Sequence, residues 1–325
     1  MFALLLVGCS MMTDHYGAPA DPSDTEARTF EVPAGANARS LAPALADAGL
    51  VQSADDFVMY VRLSKEGGCI KAGPHALTPA LSAHDLIETM CGVPLANDVA
   101  FTVIEGWRIR EIDAALAAKG WTQPGEYAGL AGDPKQFSAP YPLPTGTLEG
   151  YLFPETYMVS PDRWDTQQFI QRQLDLLATR FYTPHVDAVG ASPHSFNDLV
   201  IMASMLEREE PKVKNRPLVA GILWKRIDSG WNLGVDATSR YTLEKWNDRK
   251  AFLVKLRDPN DPYNTRLRGG LPPTAIGNPS APSLQAAMAP VDSEFWYYLH
   301  DSRQDIHPSK NAAQHEAYRR KYDVY

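Results

Sequence analysis

Prolines recur from residue 19 to residue 308 and limit the length of any regular helix in this chain. There are 26 prolines among 325 residues, about 8% against a usual content of about 5%. A proline inside a helix removes a backbone hydrogen bond, so we expect short elements joined by much loop and turn. At about 150 residues per domain, the length predicts two domains.

The composition excludes some classes of protein. The chain has 39 acidic and 31 basic residues and a formal charge of -8, which argues against a general nucleic-acid binder with its basic face. Charged residues at 22% and aromatic residues at 10% are typical of a globular protein, so the chain is not disordered as a whole.

The N-terminus points to export. No segment reaches the roughly 18 apolar residues of a membrane span. Residues 1–9 (MFALLLVGC) resemble the remnant of a signal or anchor, and LVGC at residues 6–9 has the form of a lipoprotein cleavage box. Cys9 is therefore a candidate for lipid attachment, the alternatives being an upstream start or a plain buried or free cysteine. Residues 10–28 are small and polar, which predicts a flexible tether.

The other two cysteines are Cys69 and Cys91. An even pair in an exported chain is a candidate disulfide, although the sequence alone does not show that the two lie close together. The histidines are scattered and no C-x-x-C spacing is present, so we predict neither a metal site nor a cofactor.

Two regions follow the tether. Residues 29–140 alternate strand-like and helical segments and predict a small α+β region, in which Pro43 should occupy the first turn of a helix that ends near Ala48. Residues 121–147 are rich in glycine, proline and tyrosine, so we place the domain boundary near residue 140. Helices dominate residues 141–325, apart from a long irregular stretch at 258–282. The predicted fold class is therefore α+β.

The most informative helix is predicted at residues 195–209. Ser195 and Asp198 have the spacing of a capping box, which begins a helix. At 100° per residue, Val200, Ala203 and Glu207 share one face, so Glu207 continues an apolar stripe that should face the core. Burial raises the pKa of a carboxyl group, and a carboxyl group that titrates near neutral pH suits general acid catalysis.

A structural interpretation of the same pattern is that Glu207 is a buried glutamate paired with Arg226 or Arg240. In either case Arg208 and Glu209 should point away from the stripe and be solvated.

The irregular stretch contains a second candidate site. Long loops without regular structure are usually functional in compact domains. Tyr263, Asn264, Thr265 and Asn278 offer the polar groups of a sugar-binding lining. The alternative is a loop that only wraps around the core.

Together, several segments resemble the endolytic murein transglycosylase family, the YceG-like proteins of bacterial cell-wall synthesis. The similarity extends in order and spacing from about residue 29 to residue 315. It is carried by residues 148–157 (LEGYLFPETY), 203–209 (ASMLERE), 236–241 (DATSRY), and 263–279 with YNT, GLPP and NP at matching places.

The resemblance implies a peptidoglycan-binding, LysM-like α+β region at residues 29–140 and a catalytic domain at residues 141–325. It implies cleavage of the β-1,4 bond between N-acetylmuramic acid and N-acetylglucosamine inside nascent strands, leaving a 1,6-anhydro end. Glu207 maps to the family's catalytic glutamate and would serve as the only acid and base. Asn264 could support the developing positive charge.

Other implied features are less specific. Glu149, Glu155 and Asp236 are candidates for binding substrate or orienting Glu207. The expected partners are glycan strands, cell-wall synthases and, through the N-terminus, the bacterial inner membrane, with the catalytic domain in the periplasm.

The chain also departs from the family pattern. Ala237 stands where the family has proline, and Glu210 stands where it has threonine. The family's anchor is usually a full transmembrane helix. Two other functions therefore stay open: a non-catalytic peptidoglycan-binding lipoprotein, and a hydrolase with Asp236 or Glu155 as its second carboxylate.

Overall fold

The computed structural model describes residues 15–95 and 98–324, and these form two compact units. The first unit ends at Val99 and the second begins at Ala100. The predicted anchor at residues 1–9, with Cys9, lies outside the described residues. Within the described ranges, every helix is too short or too polar to cross a lipid bilayer.

The first unit is a two-stranded antiparallel sheet packed with three helices. Strand β1 (Arg28–Val32) pairs with β2 (Gly73–Leu77), with Phe30 opposite His75. The helices are α1 (Ala38–Asp47), α2 (Ala54–Ser64) and α3 (Ala83–Cys91). Their apolar faces bury one core, which includes Leu45, Phe57 and Leu86. A disulfide bond joins Cys69 to Cys91, with the Cα atoms 5.1 Å apart.

The position of Pro43 differs from the prediction. Helix α1 begins earlier, because Asn37 and Ser40 form a capping box that starts the helix at Ala38. Pro43 therefore lies inside the helix and not in its first turn. The hydrogen bond that it cannot donate would reach Arg39, which is exposed, so water can satisfy that carbonyl group.

The described part of the predicted tether, residues 15–28, is held on the first unit. The carbonyl oxygen of Gly17 accepts a hydrogen bond from the amide of Ala83 at 2.9 Å, and the amide of Asp21 donates to Pro79 at 3.0 Å. The side chain of Gln52 donates to the carbonyl of Pro19 at 3.0 Å. Backbone groups hold this segment, so apolar periodicity could not reveal it.

The second unit is mainly helical. Its helices are α4 (Ile109–Ala118), α5 (Glu126–Ala131), α6 (Thr166–Leu177), α7 (Val186–Ala191), α8 (Phe196–Glu209), α9 (Arg216–Asp228), α10 (Asp236–Tyr241), α11 (Arg249–Lys255), α12 (Ala281–Met288) and α13 (Ala312–Lys321). Strand β3 (Val99–Thr102) pairs with β4 (Thr156–Val159), and β5 (Tyr297–His300) pairs antiparallel with β6 (Ile306–Ser309). The mixed α+β class is confirmed.

The division between units lies about 40 residues before the predicted boundary at residue 140. Residues 100–140 bury Phe101, Ile112 and Tyr127 in the core of the second unit. The hydroxyl group of Tyr127 donates to Gln173 on α6 at 2.6 Å. The stretch rich in glycine, proline and tyrosine resembled a linker because it contains only one short helix, but its tyrosines are core residues.

Helix α8 is the centre of the second unit, and Leu199 through Leu206 are all buried. The chain around it packs tightly. A Cβ atom added at Gly150, which has a positive φ, would lie 2.4 Å from Cβ of Ala275 and 2.8 Å from a methyl group of Val200. Only glycine fits there. The irregular segment 271–280 lies along α8, because the amide of Ile276 donates to Ser204 at 3.0 Å and the amide of Ser280 donates to Glu207 at 2.9 Å.

Candidate active site

The end of α8 carries the residues on which the catalytic prediction depends. The predicted capping box of Ser195 and Asp198 is present, and the helix ends at Glu209. Because nearly the whole circumference of α8 is buried, periodicity cannot single out one face. The prediction that Arg208 and Glu209 are solvated is wrong: both side chains are partly buried, and Arg208 donates to the carbonyl of Gly106.

Glu207 is held by a buried ion pair. The guanidinium of Arg216 donates to its two carboxylate oxygens at 3.0 and 3.2 Å. Its Oε2 atom also accepts hydrogen bonds from the amide of Ser280 at 2.9 Å and from the hydroxyl of Ser280 at 2.5 Å. The carboxylate thus receives four hydrogen bonds, three of them at Oε2, and connects α8 to α9 and to the start of α12.

The pairing of Glu207 with an arginine agrees with the structural interpretation, but the partner was not anticipated. Arg226 donates to the carbonyl groups of Leu233 and Trp296. Arg240 donates to the carbonyl of Trp246. The sequence offered no periodic relation that would have selected Arg216, which follows a turn after α8.

Glu209, two residues further along, lines a cleft of about 860 Å³. Its Oε1 atom accepts from the amide of Ala237 at 3.2 Å, and its Oε2 atom lies 3.4 Å from the hydroxyl of Tyr298. Burial raises the pKa of Glu209, and the negative charge of Asp236 acts in the same direction, against the lowering effect of the Ala237 amide. A carboxyl group with a raised pKa in a cleft is a candidate general acid.

The cleft also contains charged and aromatic groups. Its lining includes Arg226, Trp231, Asp236, Arg266, Tyr297, Tyr298, His300, His315 and Arg319. Asp236 is paired with Arg266 at 2.5 Å. The ring of Trp231 packs on Trp296 at 4.6 Å between centroids, and Trp231 is 42% exposed, so part of its side chain is accessible from solvent.

A second carboxylate stands behind the cleft. Glu210 is fully buried, and it accepts hydrogen bonds from Nε2 of His300 at 3.0 Å and from the amide of Lys212 at 2.7 Å. Burial raises the pKa of Glu210, but these hydrogen bonds outweigh it and hold the pKa below its usual range. The pair places the imidazole of His300 in the lining of the cleft.

The other predicted acids lie in different places. Asp236 shares the cleft with Glu209. Glu149 is buried, accepts from the amide of Ile109 at 3.1 Å and from Tyr241 at 3.1 Å, and lines a separate pocket of about 360 Å³. Burial raises the pKa of Glu149 to about 8. Glu155 lines another pocket, which has a volume of about 540 Å³. Its carboxylate lies 3.9 Å from the guanidinium of Arg180.

The polar residues predicted to line a sugar site mostly form hydrogen bonds to other groups of the second unit. The amide nitrogen of Asn264 donates to the carbonyl groups of Lys255, Leu256 and Asp258 at the end of α11. Thr265 accepts from the amide of Val235. These two side chains are buried and shape the loop from within.

Asn278 and Tyr263 are likewise used inside the unit. The side-chain oxygen of Asn278 accepts from the amides of Gly150 and Leu152, each at 3.0 Å, and its nitrogen donates to Trp107 at 2.9 Å. The hydroxyl of Tyr263 lies 2.8 Å from that of Thr274. The alternative interpretation, a loop wrapped around the core, fits these four residues.

In the described ranges, one group of side chains has the spacing of metal ligands: His84, Asp85 and Glu88 on α3. All three are exposed or partly exposed, and Asp85 and His84 already bond to Ser82 and Glu66. Such exposed groups are common without a metal, so they carry no functional argument.

The chain is similar to known proteins over most of its length. An endolytic murein transglycosylase of Bacillus subtilis (strain 168) is 24% identical over 318 residues, covering 93% of this chain and 87% of the relative. Another, from Streptococcus pneumoniae serotype 2 (strain D39), is 24% identical over 310 residues, covering 87% of this chain but only 56% of the longer relative.

A solved structure shows the same fold. The crystal structure of a YceG-like protein from Listeria monocytogenes superposes with a TM-score of 0.59 at 23% identity, covering 90% of this chain and 99% of that one. The sequence model of the YceG-like family matches residues 30–321, and the chain therefore belongs to the YceG-like family.

Proposed function

We propose that this protein is an endolytic murein transglycosylase. It would cleave the β-1,4 bond between N-acetylmuramic acid and N-acetylglucosamine within a glycan strand and leave a 1,6-anhydro-N-acetylmuramic end. Family membership and the activity named for its relatives support this reaction class. The observation that carries it to a site is the cleft that holds Glu209, a carboxyl group whose burial raises its pKa.

One carboxyl group suffices for this reaction. Glu209 in its acid form would protonate the glycosidic oxygen as its bond to C1 of the muramic acid breaks. The C6 hydroxyl of the same sugar then attacks C1, and the Glu209 carboxylate accepts the hydroxyl proton. The carboxyl group returns to its starting state, and no water is consumed.

Glu209 fits this role better than Glu207, the residue assigned from the family resemblance. Oε2 of Glu207 already accepts three hydrogen bonds and Oε1 accepts one from Arg216. A proton donor needs an oxygen that faces the substrate. Glu209 lines the cleft, whose lining does not include Glu207. The Glu207 assignment stays a prediction, which the matched variants in the Discussion test.

The positive charge that develops at C1 needs support. Asn264 cannot supply it in this conformation, because its side chain is buried and bonded to backbone carbonyl groups. The acetamido group of the sugar or the carboxylate of Asp236, which lies in the cleft, are the better candidates. The presence of Asp236 beside Glu209 also favours a two-acid hydrolase as the second candidate function.

The first unit, up to Val99, is proposed to bind peptidoglycan as a LysM-like module. Its separate core and sheet support an independent module, although it is shorter than the region 29–140 predicted from the sequence. The disulfide bond between Cys69 and Cys91 fits a protein that acts outside the cytoplasm. From the sequence of residues 1–9 and the family resemblance, we also propose attachment to the inner membrane through the N-terminus, with cell-wall synthases as partners.

Mass spectrometry of the products decides between these functions. The purified protein is incubated with uncrosslinked glycan strands, and we expect internal fragments that end in 1,6-anhydro-N-acetylmuramic acid. Reducing ends would show a hydrolase and overturn the transglycosylase. Intact strands, with the protein still bound to them, would show a non-catalytic peptidoglycan-binding protein.

A further inference from the structure

Helix α11 presents two adjacent apolar side chains to solvent. Phe252 is buried and fixes the helix to the second unit, whereas Leu253 is 48% and Val254 is 67% exposed. They lie beside a shallow groove of about 830 Å³ that is lined by Arg249, Lys250, Leu253, Val254, Arg257 and Asp258. We call these six residues the α11 patch.

The α11 patch is basic on an otherwise acidic protein. Arg249, Lys250 and Arg257 are exposed, and over the ranges that the structure describes none of them forms an ion pair. The nearby Lys255 is neutralised, since it lies 3.7 Å from Asp258 and 3.5 Å from the buried Asp261. Three cationic side chains therefore surround two exposed aliphatic ones, in a chain of formal charge -8.

The α11 patch is also held rigidly. Asp248 caps the start of α11 by accepting a hydrogen bond from the amide of Ala251 at 3.0 Å. Asn264 donates to three carbonyl groups at its end. The exposed side chains are thus presented by a fixed backbone, and their exposure is not the result of a loose loop.

We propose that the α11 patch docks on an anionic lipid surface. Leu253 and Val254 would enter the headgroup layer, while Arg249, Lys250 and Arg257 would contact lipid phosphates with their long side chains. A protein partner is less suited, because a stable protein interface buries about 800 Å² on each side and two aliphatic side chains provide far less. A bilayer requires no complementary shape. Basic side chains are attracted to its anionic headgroups, and apolar side chains are stabilised when they insert between them.

This inference does not depend on the proposed enzymatic function, and vesicle binding tests it. The full chain is sedimented with vesicles of phosphatidylcholine alone, or of phosphatidylcholine with one third phosphatidylglycerol, at low and high salt. All variants keep the same N-terminus, so its contribution is common to every measurement. We expect binding to the anionic vesicles that weakens as salt rises.

Two variants separate charge from insertion. Arg249→Gln/Lys250→Gln/Arg257→Gln removes the cations, and Leu253→Ser/Val254→Ser removes the apolar groups. Each should weaken binding by roughly tenfold or more. Because all five side chains are exposed, unchanged thermal unfolding should show that the fold is intact.

Matched controls carry the same changes at exposed positions elsewhere: Arg39→Gln/Lys119→Gln/Lys135→Gln and Val186→Ser/Val213→Ser. They should bind like the unaltered protein. Equal binding to both kinds of vesicle would overturn the proposal. So would a loss of binding in the controls as large as in the α11 variants, or full binding by Leu253→Ser/Val254→Ser.

Discussion

The guanidinium of Arg216 donates hydrogen bonds to both carboxylate oxygens of Glu207, and each side chain is more than nine-tenths buried. Arg216 also donates to Ser283 at 2.8 Å and to the carbonyl of Glu210 at 3.0 Å. One residue thereby joins the end of α8 to α12. The ion pair fixes the C-terminal end of α8, and Glu209, two residues after Glu207, lines the cleft.

Arg216→Gln should destabilise the second unit strongly. It leaves the Glu207 carboxylate buried without its cationic partner, which typically costs about 3–5 kcal/mol. Urea unfolding monitored by tryptophan fluorescence measures this. Arg319→Gln is the control, because its pair with Glu316 is exposed and should contribute less than about 1 kcal/mol. Equal midpoints for the two variants would contradict the structural role of Arg216.

The matched pair Glu209→Gln and Glu207→Gln tests which carboxyl group is catalytic. Glu209→Gln keeps the shape of the cleft but removes the proton donor, so anhydro product should form roughly 100-fold to 10,000-fold more slowly. Glu207→Gln should unfold more readily, yet its folded fraction should cleave at nearly the normal rate. Activity lost in Glu207→Gln and kept in Glu209→Gln, at equal folded fractions, would return the assignment to Glu207.

Asp236→Asn should change the pH profile of cleavage. The acid form of Glu209 starts the reaction, so activity falls as the pH rises through its pKa, which burial and the charge of Asp236 raise. Removing that charge lowers the pKa of Glu209, and the alkaline limb should move to lower pH. Glu155→Gln, outside the cleft, should leave the profile unchanged. If Asp236→Asn abolishes cleavage at every pH, Asp236 takes part in the reaction, and the two-acid hydrolase gains support when the unaltered protein also leaves reducing ends.

Glu149 should make the protein less stable as the pH rises. Burial raises its pKa to about 8 in the folded state, from an ordinary value of 4.5. Between these values the folded protein keeps a proton that the unfolded chain releases. The stabilisation is complete below pH 4.5 and is lost as the pH rises through 8, at up to about 1.4 kcal/mol per pH unit.

Glu149→Gln provides the comparison for this effect. The amide has the same shape, can accept from Ile109 and does not titrate. Urea unfolding at a series of pH values should show a steeper loss of stability in the unaltered protein than in the variant. Parallel curves would show that Glu149 titrates alike in both states.

The sequence predicted the parts of the fold that rest on local signals. Ser195 and Asp198 placed the start of α8, because capping depends on neighbours within one turn. Helical periodicity was only one part of the argument for Glu207, and it cannot single out a face on a helix such as α8 that is buried nearly all round. The other part was the family resemblance, and the assignment of Glu207 stays a prediction.

Contacts between segments that are distant along the chain could not be predicted from the sequence. The meeting of Glu209 with Tyr298, and of Glu210 with His300, joins α8 to a strand about 90 residues away. No spacing rule connects such positions. The same run of residues 203–209 did contain Glu209, however, and its proximity to Glu207 was the only signal that could have marked it as a candidate.

The Cys69–Cys91 disulfide should stabilise the first unit alone. It closes a loop between cysteines 22 positions apart, and a loop of that size corresponds to about 3 kcal/mol in the chain-entropy treatment.

All seven tryptophans lie in the second unit, between residues 107 and 296. Tryptophan fluorescence therefore monitors the second unit, and hydrogen exchange of α1 to α3 monitors the first. Cys69→Ser/Cys91→Ser should lower protection in those helices and leave the fluorescence midpoint unchanged, since each unit has its own core. A fluorescence midpoint that falls by the same amount would show that the two units unfold together.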